Sequence, residues 1–174
     1  RENVSQMQRF VGQLGTPQDN AELRDRLHQV QHYTNQLAKD TNKYLKDLAH
    51  LPPPATQSEQ RQRKMQKERL MNEFTSSLNN FQAAQRKAAD KEKESMARAR
   101  AHSGSAYDPF QDKKEDQLVR IDSPTQSQTQ TIQMEEDVDM QLLQEREQAI
   151  HKLESDIVDV NTIFKDLGML VHEQ

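Results

Sequence analysis

From Ile150 onward the apolar positions recur with a fixed rhythm: Ile150, Leu153, Ile157, Val160, Phe164, Leu167 and Val171, in steps that alternate between three and four. Polar residues fill nearly every other position, so one narrow stripe is left to bury, and the alternation predicts a helix of coiled-coil type. Leu143 holds the same register one heptad upstream, with Arg146 as an interruption. An isolated helix of this kind realises almost none of the burial energy of its stripe, so it needs a partner surface. The next step lands on Gln174. A buried amide there would fix register and partner identity; the alternative is that the stripe simply turns polar, and spacing leaves both readings open.

The same reading applied upstream predicts three more helices. Val4, Met7, Val11 and Leu14 form an amphipathic stripe, and Gly15 stands where a helix-ending glycine belongs. Thr16, Pro17 and Asp19 suit the start of a second helix, whose seam runs through Leu23, Leu27, Val30, Thr34, Leu37, Thr41, Tyr44 and Leu48 until "LPPP" at 51–54 stops it. "TQSE" at 56–59 fits a capping box, and the face of the third helix is Met65, Leu70, Phe74, Leu78, Phe81, Ala84 and Ala88. None of these stripes can be buried alone, and tight turns join them, so they predict an up-down-up antiparallel bundle. The second helix would be about 50 Å long and the first only about 20 Å. The first helix therefore reads as truncated, and Arg1 in place of an initiator Met reads as the start of an excised segment.

Between 102 and 136 the chain becomes rich in Ser, Gln, Thr and Asp and loses its periodicity, which predicts a flexible linker. Glu135, Glu136, Asp137 and Asp139 then favour the positive end of a new helix. The predicted organisation is all-α and elongated: a three-helix bundle over 1–101, with helices near 1–14, 17–50 and 58–101, a disordered linker over 102–136, and an amphipathic coiled-coil helix over 137–174.

Composition narrows the function. Of 174 residues, 30% are charged and only 32% hydrophobic, with a mean hydropathy of -1.10, too polar for the core of an ordinary globular domain and for the walled cavity an enzyme needs. The absence of cysteine excludes disulfides, thiol catalysis and cysteine-bound zinc. A net charge of -4 and a pI near 5.9 argue against nucleic-acid binding. No apolar run approaches the roughly 20 residues of a membrane span. No Ser-His-Asp arrangement, carboxylate pair or phosphate loop appears, so neither an enzyme nor a resident cofactor or metal is expected. His28 and His32 are helical neighbours, read as a solvated face because no third ligand accompanies them. A helical scaffold that self-associates through its last heptads is the alternative that composition and periodicity leave standing.

The closing residues, "IVDVNTIFKDLGMLVHEQ" with "EREQAIHKLESDI" before them, closely resemble the N-terminal half of the SNARE motif of syntaxins. Upstream, "QLGTPQD", "TNQLAKDTNKYLKDL", "SEQRQRKMQKERLMNEF", "NNFQAAQR" and "EKES" resemble the three-helix regulatory domain of endosomal syntaxins. The resemblance implies a Qa-type SNARE. Such a protein sits on the cytosolic face of endosomal and late endosomal membranes, with its anchor C-terminal to a segment that is itself soluble, and zips with Qb, Qc and R partners into a fusion-driving four-helix bundle. It also implies that Ile150, Leu153, Ile157, Val160, Phe164, Leu167 and Val171 are hydrophobic layers, with Gln174 in the polar central layer against a partner's Arg. A Sec1/Munc18-type regulator would bind the three-helix domain. That domain can fold back on the SNARE helix, and the expectation here is that the groove between the second and third helices masks the stripe of Ile150 to Val171.

Three smaller signals remain. Tyr107, Asp108, Pro109 and Phe110 resemble clathrin-adaptor-binding and tyrosine sorting peptides, and Ser123 before Pro124 is either a proline-directed phosphosite or a plain turn. "RQRKMQKER" at 61–69 reads as a charged, exposed face, with contact to anionic lipid or an acidic partner as the alternative.

Overall fold

The computed structural model describes residues 1–104 and 126–172, with side chains placed over 1–101 and 140–170. Four helices run in chain order: α1 (Glu2–Gln13), α2 (Ala21–Ala49), α3 (Gln57–Gly104) and α4 (Gln126–His172). No strand occurs among the described residues.

The α1–α2 turn explains why α2 starts at Ala21 rather than near Pro17. Gly15 takes φ of 77°, a left-handed conformation that suits glycine and ends α1. The Thr16 hydroxyl donates to the Gln13 carbonyl at 2.6 Å, so it closes α1 and does not cap α2. The Asp19 carboxylate accepts from the Gly15 amide at 2.9 Å and from the Arg24 guanidinium at 2.7 Å. Asn20 then caps α2, its side-chain oxygen accepting from the Leu23 amide at 2.8 Å. At the next corner the Thr56 hydroxyl accepts from the Glu59 amide at 3.3 Å, one half of the expected capping box.

α4 begins at Gln126, inside the stretch expected as linker, and α3 runs on to Gly104. From Gln126 to Leu167 the sequence holds neither Gly nor Pro, so nothing in it breaks a helix. The polarity of residues 126–136 was the misleading signal, because it reports which groups meet water, not whether the backbone coils.

Ion pairs and hydrogen bonds fix the directions. Arg1 meets Glu73 and Ser77, while Lys91 donates to the Val11 and Leu14 carbonyls at 2.8 Å, so α1 and α3 run parallel and Lys91 caps the end of α1. α2 runs against both. α4 runs parallel to α2, with Asn35 meeting Asp156 and Asn42 meeting Asp166, and antiparallel to α3, with Gln82 meeting Asn161 and Lys93 meeting Glu154. α1 and α4 each pack against both α2 and α3, from opposite sides. One core results: Met7, Val11, Leu27, Leu78, Phe81, Ala88, Leu153 and Val160 belong to the same buried cluster.

Two predicted seams shift in the structure. On α2, Leu37 and Tyr44 are exposed and the buried positions are instead Ala38, Asn42 and Leu45. α2 has neighbours on two sides, and the side facing α4 is polar, with Gln31, Asn35 and Asn42 all buried. Apolarity alone could not find that side. On α3, Met65 and Leu70 are exposed while Met71 is buried, one heptad before Leu78.

Candidate interaction surface on the fourth helix

The stripe of α4 lies in the groove it was expected to occupy. Ile150, Leu153, Val160 and Leu167 are buried, and Ile157 and Phe164 pack half-buried against the same core. The side chain of Val171, the residue Gln174, the Tyr107–Phe110 peptide and Ser123 lie outside the described residues. The helix is rotated relative to the predicted seam: Asp156, Ile163 and Leu170 are buried in place of the flanking Ile157 and Phe164. α4 therefore carries two overlapping stripes that share Ile150, Leu153, Val160 and Leu167.

Polar contacts hold this rotated face. α2 repeats an Asn-x3-Lys pattern at heptad spacing, Asn35 with Lys39 and Asn42 with Lys46, and α4 repeats an aspartate at the same spacing, Asp159 and Asp166. Asn35 donates to Asp159 at 3.3 Å and Lys39 pairs with it at 2.6 Å. Asn42 donates to Asp166 at 2.7 Å and Lys46 pairs with it at 2.6 Å. These contacts, led by the Lys46 hydrogen bond and joined by that from Asn42, hold the Asp166 carboxyl below the usual carboxylate range against the opposing effect of burial. Asp156 goes the other way. Burial pushes its carboxyl up, and the charge of Asp159 adds to that, although His32 and Lys39 pull it down. Asn35 donates to Asp156 at 2.9 Å, but the Asn35 side-chain oxygen is left with no partner.

Toward the other end of the interface, Arg146, the residue that interrupts the stripe, supplies a charged layer. It donates to Ser95 at 2.9 Å and reaches Glu92 at 3.5 Å, while Arg24 reaches the same Glu92 oxygen at 3.2 Å. Glu92 is only 3% exposed, and two guanidiniums flank its carboxylate. The Arg24 hydrogen bond, the largest influence on it, keeps the Asp19 carboxyl low. Around these groups lies a cavity of about 300 Å³ with His28 in its wall. His28 is thus half-buried at the α2–α4 seam, not on a solvated face, and burial pulls its pKa down. Among the described residues no three His, Cys, Asp or Glu side chains gather as a metal site would require.

The family model described as syntaxin-like protein matches residues 1–136, and that described as SNARE domain matches 141–174. The chain belongs to the syntaxin family. Syntaxin-7 of Homo sapiens is 56% identical over 97% of this syntaxin and 65% of its own length. Syntaxin-7 of Rattus norvegicus is 54% identical over 95% of the chain and 63% of its own length. Syntaxin-23 of Arabidopsis thaliana is 38% identical over about half the chain. This syntaxin therefore spans about 65% of the length of the first of these relatives. No solved structure matches it. Among its described residues no helix is long and apolar enough to cross a membrane.

Sequence reasoning missed Asp156, Ile163 and Leu170 on α4, and Glu92 and Lys91 on α3. A signal existed for the α2–α4 contact in the paired heptad repeats of Asn35/Asn42, Lys39/Lys46 and Asp159/Asp166. None existed for Glu92, which looks like any other carboxylate in a charged helical run.

Proposed function

We propose that this syntaxin is the regulatory bundle and the first half of the assembly helix of an endosomal target-membrane Qa-SNARE. Its four-helix assembly with Qb, Qc and R partners would drive fusion between endosomal membranes, and docking of α4 on α2 and α3 would hold that assembly back. The observation that carries the reading is the double use of α4. Ile150, Leu153, Val160 and Leu167 sit in the predicted partner seam and are also buried against the chain's own bundle, so they cannot serve both at once. The similarity to syntaxin-7 supports the endosomal setting. In this reading residues 1–101 regulate and 137–174 assemble. Ile157, Phe164 and Val171 complete the hydrophobic layers, Gln174 takes the central polar layer, and a membrane anchor follows C-terminally. A Sec1/Munc18-type regulator would recognise the bundle. Tyr107 to Phe110 would recruit a clathrin adaptor, which requires that Phe110→Ala abolish adaptor pull-down, and phosphorylation of Ser123 would add charge beside that peptide.

The test is to mix a chain extended past Gln174 with three candidate SNARE helices, one carrying a central arginine. A stable, more helical complex in circular dichroism and size-exclusion chromatography is the expected outcome. Failure of every cognate set to form one defeats the proposal.

A further inference from the structure

The α2–α3 corner carries a surface that α4 docking leaves unused. Residues 51–70 hold five basic side chains, Arg61, Arg63, Lys64, Lys67 and Arg69, against two acidic ones, Glu59 and Glu68, in a chain whose net charge is -4. The corner is fixed in shape: Arg63 donates to the Pro52 carbonyl at 2.6 Å and Gln60 to the Pro54 carbonyl at 3.1 Å. Between loop and helix lies an open cavity of about 310 Å³, floored by Leu48, Leu51 and Pro53 and rimmed by Arg63, Lys64 and Lys67. Arg61 and Lys67 make no ion pair among the described residues, and Lys64 meets Glu68 only at 4.0 Å. At the tip Leu51 is 49% exposed beside exposed Pro52 and Pro53.

We propose that this corner is a docking surface for an anionic phospholipid bilayer. The exposed apolar side chains of Leu51, Pro52 and Pro53 meet the headgroup region while the cationic rim meets lipid phosphates and carboxylates, the division of labour that interfacial segments use. Each Lys or Arg that reaches such a surface raises partitioning on the order of fivefold. An apolar floor favours an amphiphile over a protein carboxylate surface, which would leave that floor uncovered. Orientation agrees: α4 runs parallel to α2, so its C-terminal direction is toward the corner, the direction in which the anchor of the function proposed above would lie. That last point rests on the proposed function, whereas charge and shape stand without it.

The test uses vesicle flotation of the whole chain with phosphatidylcholine alone and mixed with phosphatidylserine, at low and high salt. The expected result is binding to the mixed vesicles only, weakened by salt, and reduced on the order of tenfold or more by Lys64→Glu with Lys67→Glu. Arg86→Glu with Lys87→Glu, the same charge change on the exposed middle of α3, should leave binding nearly intact. Unchanged helicity in circular dichroism excludes misfolding, and Leu51→Ser, a loop substitution, gives a second variant with an expected loss. Equal binding to both vesicles, equal loss with both double variants, or binding to soluble polyglutamate without vesicle binding overturns the proposal. None of these readouts involves partner SNARE helices, so its failure and that of SNARE assembly are separable.

Discussion

Among the described residues Asp156 is buried on α4 without a cationic hydrogen-bond partner; it accepts from Asn35, whose own side-chain oxygen is left stranded. A neutral side chain that can both accept and donate would suit the place better. Asp156→Asn is therefore expected to strengthen α4 docking by about 1 kcal/mol near neutral pH, through relief of burial of a charge and a new donor for the Asn35 oxygen. The pH dependence follows from the direction of the shift. A carboxyl whose docked pKa lies above its undocked value of about 3.9 binds its proton more tightly when docked. Its contribution to docking is full below that undocked value and is lost as pH rises through the raised docked value. The advantage of Asn over Asp should hence shrink as pH falls into the carboxylate range. Asp166, held low by Lys46 and Asn42, has the opposite sign: its contribution is present above the undocked value and lost as acid protonates it. Hydrogen exchange over residues 150–170 of the two chains across this pH range checks the sign for Asp156; an Asn advantage that grows in acid would contradict it.

At the scale of the helix, α4 presents two faces that differ by a small rotation. The proposed partner seam uses Ile157 and Phe164, whereas the docked state buries Ile163 and Leu170 at 3% and 5% exposure. Ile163→Ala with Leu170→Ala should weaken docking by about 2 kcal/mol or more per site, with a smaller effect on a complex of four SNARE helices. Phe164→Ala should do the reverse. Exchange protection for docking and thermal melting for the complex separate the two, and parallel losses in both would mean that one face serves both states. This rotation also marks where the sequence stops being legible. The existence of four helices and the shared residues Leu153, Val160 and Leu167 follow from periodicity, because a repeating stripe reports a helix whatever covers it. The antiparallel course of the first three and the Gly15 turn follow from the short connections, and the direction of α4 does not follow from the sequence. Which side of the stripe turns inward depends on the partner. Asn35, Asn42, Asp159 and Asp166 decide that through hydrogen bonds between segments far apart in the chain, and a hydropathy pattern assigns such residues to solvent. The exposed Leu37 and Tyr44 show the same limit from the other side: none of the described helices covers that face of α2.

At the scale of the whole molecule, docking is an intramolecular reaction, since residues 105–125 join the two partners in one chain. A tether of this kind supplies an effective concentration of about millimolar, far above the micromolar concentrations at which separate helices meet. A weak interface can then keep α4 mostly occupied. Buried polar atoms without partners, on Asn35, Asn42, Glu92 and Arg146, each detract from that interface, which suits the release of α4 that the proposed function requires. Assembly with partner helices should proceed only from the undocked fraction, so its rate should scale with that fraction. A protease site placed between 105 and 125 isolates this effect, because cleavage there leaves the chain of α1 to α4 uncut and removes the covalent tether. Cleaved chain at micromolar concentration is expected to assemble on the order of tenfold faster than intact chain. Fluorescence transfer between a label on α4 and one on a partner helix gives the rate. The same rate before and after cleavage would show that docking does not limit assembly. A slower rate after cleavage would show that the bundle presents α4 to its partners instead of withholding it.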